Sequence, residues 1–296
     1  MTAGTAPPRG PARELGRFLE IQNLGLNLPF ALAFLLLASD GRPTLWALFL
    51  IVVAFVAARN AGHSFNRWVD RHLDAANPRT QARALVTGRT SPGFALGFCA
   101  ANAAVLVVAA YFLNPLAFVL APVALVLVLG YSYTKRVTSF TTAFLGLVQA
   151  ITPAAVYIAI TGTLPVVVLI AVGGLLAWGT AFETIHSLGD LESDRALGLF
   201  SIPVRWGVGP SVRLVVVLHA TALVLLALFG VGLHVTTAYF VALVAMAALV
   251  AVTDRTLSRN PSSARVPFER HFALSALYLV GVAFAVFVPL GPAWVP

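Results

Sequence analysis

Apolar runs long enough to cross about 30 Å of hydrocarbon as helix lie near 21–39, 44–65, 92–113, 115–132, 140–160, 164–186, 211–231, 235–253 and 270–290. The pattern predicts an all-α polytopic membrane protein with nine transmembrane helices. The breaks between runs carry chain-turning residues, among them Asp40-Gly41-Arg42-Pro43, Asn114-Pro115 and Thr161-Gly162-Thr163. Glycine ends helices through its backbone freedom and proline through its missing N–H.

Composition sharpens this picture. Apolar residues fill 59% of the 296 positions and charged residues 10%, against about 25% charge in a soluble domain. That argues against a water-soluble fold. The runs recur end to end, so residues 21–296 read as one transmembrane domain. Residues 1–20 are rich in Pro, Gly and Arg, lack an apolar signal core, and read as a cytoplasmic tail. The single cysteine, Cys99, excludes an intrachain disulfide.

A net charge of +8 suggests either nucleic acid or a membrane surface as partner. The positions of the charges decide for the membrane. With the N-terminus in the cytoplasm, the inward loops are 66–91, 133–139, 187–210 and 254–269, and they hold most of the Lys and Arg. The opposite loops hold almost none, with Arg42 the clear exception. This positive-inside bias supports an odd span count and a multi-pass inner-membrane protein. No nucleic-acid partner is expected.

The chain has only eleven Asp and Glu, so their grouping is informative. Asn66, Asp70 and Asp74 recur every fourth residue, as do His186, Asp190 and Asp194. That spacing places each triplet on one helical face. Each triplet follows a span and precedes a long basic inward loop, which suggests a weak repeat of two halves, roughly 21–135 and 140–253, plus a final helix. Gathered carboxylates at a membrane edge repel one another unless a cation compensates them. Oxygen ligands without a metal-spaced His or Cys set favour Mg²⁺, which takes one or two carboxylates and completes its shell with water and phosphate.

These residues resemble a known family. Asn66-xxx-Asp70-xxx-Asp74 followed by Asn77-Pro78-Arg79-Thr80, with Asp190-xxx-Asp194-Arg195-xx-Gly198-xx-Ser201-Ile202-Pro203, is similar to the UbiA superfamily of intramembrane prenyltransferases. The likeness covers almost the whole chain and leans toward the 4-hydroxybenzoate polyprenyltransferases and their menaquinone-pathway relatives. Arg59-Asn60-Ala61-Gly62 and Tyr131-Ser132-Tyr133-Thr134-Lys135-Arg136 share that leaning. The first span departs from it: it reads Ile21-Gln22-Asn23-Leu24-Gly25-Leu26-Asn27-Leu28-Pro29-Phe30, where relatives usually show a basic residue and a His-Thr pair before Leu-Pro-Phe. The acceptor therefore stays open.

The resemblance implies a helical bundle around a central cavity, with Mg²⁺ and diphosphate at its cytoplasmic end. It implies transfer of a prenyl group from polyprenyl diphosphate to an aromatic acceptor in quinone biosynthesis. Asp70, Asp74, Asp190 and Asp194 would hold Mg²⁺, and Asn66 would hydrogen-bond a phosphate oxygen or a metal-bound water. Arg59, Arg67, Arg71, Lys135, Arg136 and Arg195 supply candidates for the diphosphate clamp. Tyr131, with Phe65 and Tyr133, offers aromatic faces to the allylic cation.

Other polar residues carry less. His63 and His186 lie near the acids, whereas His219 and His234 have no acidic company along the sequence and are assigned no function. Gln149 reads as an interhelical hydrogen bond, and Gly93 and Gly97 as close packing within the bundle. Two alternatives remain: a prenyltransferase of the haem, chlorophyll or ether-lipid branch, and a cation-binding transporter. Transporters hold their ionisable residues near the midplane, whereas these acids end spans on one side, which favours the enzyme.

Overall fold

The computed structural model describes residues 24–261 and 264–288, and among them every helical or extended element is a helix. In chain order the helices are α1 (Leu24–Ala38), α2 (Leu45–Val69), α3 (Arg71–Ala76), α4 (Pro92–Leu113) and α5 (Pro115–Gly130). They continue with α6 (Thr141–Thr161), α7 (Val166–Gly189), α8 (Leu191–Ala196) and α9 (Ile202–Trp206). The last three are α10 (Val208–Gly232), α11 (Thr237–Arg259) and α12 (Arg265–Phe287). A 3₁₀ turn, Tyr131–Arg136, prolongs α5.

Eight of these, α2, α4 to α7 and α10 to α12, are long and apolar enough to cross a membrane. Helix α1 is apolar but shows 15 described residues, a length of about 22 Å at 1.5 Å per residue, short of a hydrocarbon core. The rest of the first predicted span, 21–23, lies outside the described residues, as do the predicted tail 1–20 and the last positions of the ninth span. Helix α2 runs four residues beyond the apolar run predicted to end at Phe65, and α11 runs to Arg259 instead of residue 253. Hydropathy ends where polar residues begin, but the backbone keeps its helical hydrogen bonds.

Local chemistry sets the helix ends. Thr44 Oγ1 accepts from Ala47 N at 3.1 Å and opens α2, and Ser91 Oγ accepts from Phe94 N at 3.1 Å and opens α4. Each satisfies an N–H that has no partner in the first turn. Asn114 does two jobs: its Oδ1 caps α5 through Ala117 N, and its Nδ2 donates to Ile158 O and Ala159 O near the end of α6. Gly162, at φ 70°, terminates α6 in the left-handed conformation that glycine adopts without a Cβ clash.

Helix α7 is the centre of the bundle: 61% of its apolar window is buried, against 11% for α5. Its closest neighbour is α6, because a Cβ on Gly146 would stand 2.6 Å from Thr180 N and one on Gly179 would stand 2.9 Å from Gly146 Cα. Helices in lipid associate through such small-residue contacts, since lipid is as apolar as their side chains. Gly93 and Gly97, expected to pack this way, meet nothing within 4 Å of an added Cβ among the described residues. Aromatic packing fills the core on the far side of α7, where Phe30 meets Trp178 and Tyr278, and Phe34 stacks on Phe229 at 5.4 Å. Ser275 Oγ donates to Gly25 O at 3.0 Å and ties α12 to α1. Trp46, Phe49, Tyr111, Phe112 and Val126 face outward, as a lipid-facing surface requires.

Candidate active site

Both acidic motifs interrupt their helix at the central aspartate. Asp70 (φ −90°, ψ 4°) separates α2 from α3, and Asp190 (φ −102°, ψ 5°) separates α7 from α8. The expectation of one continuous helical face is corrected in that respect. The fourth-residue register survives, because Asp74 N donates to Asp70 O and Asp194 N to Asp190 O, each at 2.8 Å. All six residues of the two triplets consequently line one cavity of about 340 Å³.

Three of the four aspartates are gripped by arginines. Arg136 Nη2 donates to Asp70 Oδ1 at 2.8 Å, Arg83 Nη1 to Asp74 Oδ1 at 2.6 Å, and Arg79 to both oxygens of Asp190 at 2.7 Å. The exception is Asp194, which is 2% exposed and whose Oδ2 meets no hydrogen-bond donor among the described residues. Asn66 Nδ2 donates to Asp70 Oδ2 at 2.8 Å, so it orients an acid of the site.

Burial pushes Asp74 up to about 6, against the opposing charges of Arg67 and Arg79. Burial also raises Asp194, with Lys135 opposing it and Asp190 adding to it. Burial would raise Asp190 as well, but the hydrogen bonds from Arg79 and the charge of His186 outweigh it and hold that carboxyl below the usual range. One site therefore holds a depressed carboxyl beside two elevated ones, because burial acts on all three and only at Asp190 do Arg79 and His186 outweigh it.

Arg59, Arg67, Tyr131 and Lys135 line the cavity, as expected of substrate contacts. Arg136 reaches Asp70 from outside the lining, while its Nη1 donates to Ser132 O. Arg71 turns away, with its guanidinium 5.2 Å from the centre of the Trp68 ring and a hydrogen bond to Trp68 O. Arg195 is exposed and outside the lining. Phe65 and Tyr133 pack on each other at 6.1 Å outside the cavity, and the rings that reach it beside Tyr131 are Phe55, Phe182, Phe268 and Phe272.

Arg79 and Arg83, basic residues of the 66–91 loop, pair with Asp190 and Asp74, and Glu183 near the end of α7 joins the cavity lining. Glu183 Oε1 accepts from Gln149 Nε2 at 2.6 Å across α6 and α7, and His186 stands 3.7 Å from its Oε2. The Asn77-Pro78-Arg79-Thr80 motif was the one available signal for Arg79. His219, assigned no acidic company, lies 2.7 Å from Asp254 in space. Among the described residues no group of three or more His, Cys, Asp or Glu is placed to hold a metal ion by itself.

A lipid-exposed helical bundle with a polar, acid-lined cavity at one end defines an integral membrane protein that handles a small charged ligand. The description of the UbiA prenyltransferase family matches residues 27–277. A 4-hydroxybenzoate octaprenyltransferase from Aeromonas hydrophila is 30% identical over 83% of this chain and 86% of its own length. One from Methylobacillus flagellatus is 33% identical over 83% of each. Among solved structures, a UbiA homologue from Aeropyrum pernix K1 in its apo state superposes at a TM-score of 0.81 with 27% identity, covering 88% of this chain and 97% of that one. A UbiA homologue from Archaeoglobus fulgidus bound to DMAPP and Mg²⁺ shares the fold at a TM-score of 0.70 and 17% identity, covering 93% of this chain and 99% of that one. The chain belongs to the UbiA prenyltransferase family and is a membrane-bound prenyltransferase.

Proposed function

We propose that the chain transfers a polyprenyl group from polyprenyl diphosphate to an aromatic acid of the 4-hydroxybenzoate or dihydroxynaphthoate type, in quinone biosynthesis. Asp70, Asp74, Asp190 and Asp194 hold Mg²⁺, and the cavity opens to the cytoplasm from a multi-pass inner-membrane protein. The carrying observation is that four aspartates, from motifs 120 residues apart, share one cavity of about 340 Å³ with arginine and lysine. The two 4-hydroxybenzoate octaprenyltransferases and the DMAPP- and Mg²⁺-bound relative of the same fold support this chemistry.

The donor set fits Mg²⁺. Its charged ligands are carboxylate oxygens, one of them, Asp194 Oδ2, buried without a donor. Mg²⁺ takes one or two protein carboxylates and keeps positions for water and substrate phosphate. Bound there, Mg²⁺ supplies Lewis-acid neutralisation of the charge that gathers on a leaving diphosphate.

The protein's own groups do the rest. Lys135, Arg67 and Arg79 line the same cavity and bring fixed positive charge to the phosphate oxygens, where a low-dielectric wall makes each contact stronger than in water. Tyr131, Phe182 and Phe268 present rings to the allylic carbon and keep water from the cation until the acceptor attacks it. The positive-inside distribution of Lys and Arg supports the cytoplasmic opening.

The test incubates purified protein and Mg²⁺ with polyprenyl diphosphates against 4-hydroxybenzoate and dihydroxynaphthoate, reading products by mass spectrometry. The prenylated ring, formed with loss of its ring proton or of the carboxylate as carbon dioxide, and released diphosphate are expected. Product from neither acceptor, with the protein folded and Mg²⁺ saturating, overturns the proposal.

A further inference from the structure

Three titratable side chains meet inside the bundle, away from the aspartate cavity. His219 of α10 has Nδ1 2.7 Å from Asp254 Oδ1 of α11, and its Nε2 lies 3.1 Å from His271 Nε2 of α12. His271 Nδ1 lies 2.8 Å from Pro267 O. Both imidazoles are fully buried, and the Asp254 side chain is 12% exposed.

The hydrogens can be counted. Pro267 O only accepts, so His271 Nδ1 carries one. Each of the other two contacts needs one more, since two bare acceptors facing each other repel. Three contacts require three hydrogens, whereas two neutral imidazoles and an ionised carboxylate carry two. The third hydrogen also brings the net charge of the group to zero, the state a buried cluster in a membrane favours.

This group stands directly behind the cavity wall. The Trp178 ring lies 5.5 Å from the His219 ring and 5.0 Å from that of His271. Phe182 lies 5.2 Å from His271 and 4.7 Å from Phe268, and Phe182 and Phe268 both line the cavity.

We propose that Asp254, His219 and His271 form a charge-neutral network of three hydrogens that pins α10, α11 and α12 against α7 and so positions Phe182 and Phe268 along the prenyl cavity. These are positioning residues, since none of the three lines the cavity. The positioning role rests on the prenyl-transfer reading; the hydrogen count does not.

Two measurements on the full chain in lipid test it. Nitrogen-15 histidine NMR at neutral pH, with carbon-13 observation of Asp254, is expected to find either one imidazolium among the two rings or a protonated Asp254. Two neutral rings beside an ionised carboxylate overturn the network. Kinetics then separate positioning from bulk stability. Asp254→Asn keeps all three bonds, because its Nδ2 donates into His219 Nδ1, and it should hold kcat and KM within about twofold of the unmodified chain. Asp254→Ala and His271→Leu should raise KM for polyprenyl diphosphate roughly tenfold, with kcat changed less. Equal behaviour of Asp254→Asn and Asp254→Ala overturns the positioning role, even if His271→Leu fails to fold. A chain that transfers no prenyl group in any form overturns the functional reading and the positioning role together, while the spectrum still decides the count.

Discussion

Arg79 closes its Nε and Nη2 on the two carboxylate oxygens of Asp190 at 2.7 Å each, across 111 positions of sequence. The α3 loop is thereby fastened to the end of α7, and a cation that belongs to the first acidic motif answers an anion of the second. Such a fork is specific to guanidinium, because an ammonium offers a point charge without the planar pair of donors.

Arg79→Lys should therefore lower kcat/KM for polyprenyl diphosphate roughly tenfold although it conserves charge, and Arg79→Ala roughly a hundredfold. Steady-state kinetics at saturating Mg²⁺ measure both. A lysine variant as active as the unmodified chain removes the fork from the argument. The Arg79 side chain is 49% exposed, so the effect is expected on catalysis more than on folding.

Asp70→Ala and Asp194→Ala should abolish transfer while the protein still inserts. Asp194 has the more direct case, since its Oδ2 is buried and meets no donor among the described residues. Product formation and thermal unfolding, followed on the same samples, check this. Near-normal turnover by either variant under saturating Mg²⁺ overturns the assigned metal role.

Much of this is legible in the amino-acid sequence itself. Apolar length located the spans, and the four-residue recurrence of Asn66, Asp70 and Asp74 brought the acids to one side. The break at Asp70 was not legible, because hydrogen bonds of helical register run through it and leave no mark on residue spacing. Pairing across the fold was hidden for a different reason. Arg79, Arg83 and Arg71 look alike as loop cations, yet the first two grip Asp190 and Asp74 while the third lies over Trp68. Asp254 and His219 sit on separate helices 35 positions apart, so only packing shows that they meet.

Removing Mg²⁺ should stop turnover without unfolding the protein. Asp70, Asp74 and Asp190 are each neutralised by an arginine at 2.8 Å or less, so their repulsion is already offset when no cation is bound. A site that depended on its metal for folding would lose structure with a chelator. Circular dichroism and prenyl-transfer assays with and without EDTA distinguish the two: helicity and Tm are expected to change little while product disappears. Loss of helicity on chelation contradicts the arginine compensation.

The close approach of α6 and α7 at Gly146 and Gly179 holds one wall of the cavity together. A Cβ on Gly146 would meet the backbone nitrogen of Thr180 at 2.6 Å, and backbone cannot swing aside as a side-chain tip can. Gly146→Ala must push the helices apart, at a cost of about 1–3 kcal/mol for overpacking. The separation also strains the 2.6 Å hydrogen bond from Gln149 Nε2 to Glu183 Oε1, three residues along α6. Gly97→Ala supplies the control, because an added methyl there meets nothing within 4 Å among the described residues. Thermal unfolding in detergent should show a lower Tm for Gly146→Ala and an unchanged or slightly higher one for Gly97→Ala. Gln149→Leu should share the loss in stability, since it leaves a Glu183 carboxylate that is 8% exposed without that donor. If Gly146→Ala matches Gly97→Ala, the contact between α6 and α7 is looser than the glycine pair requires, and the placement of Glu183 must come from elsewhere.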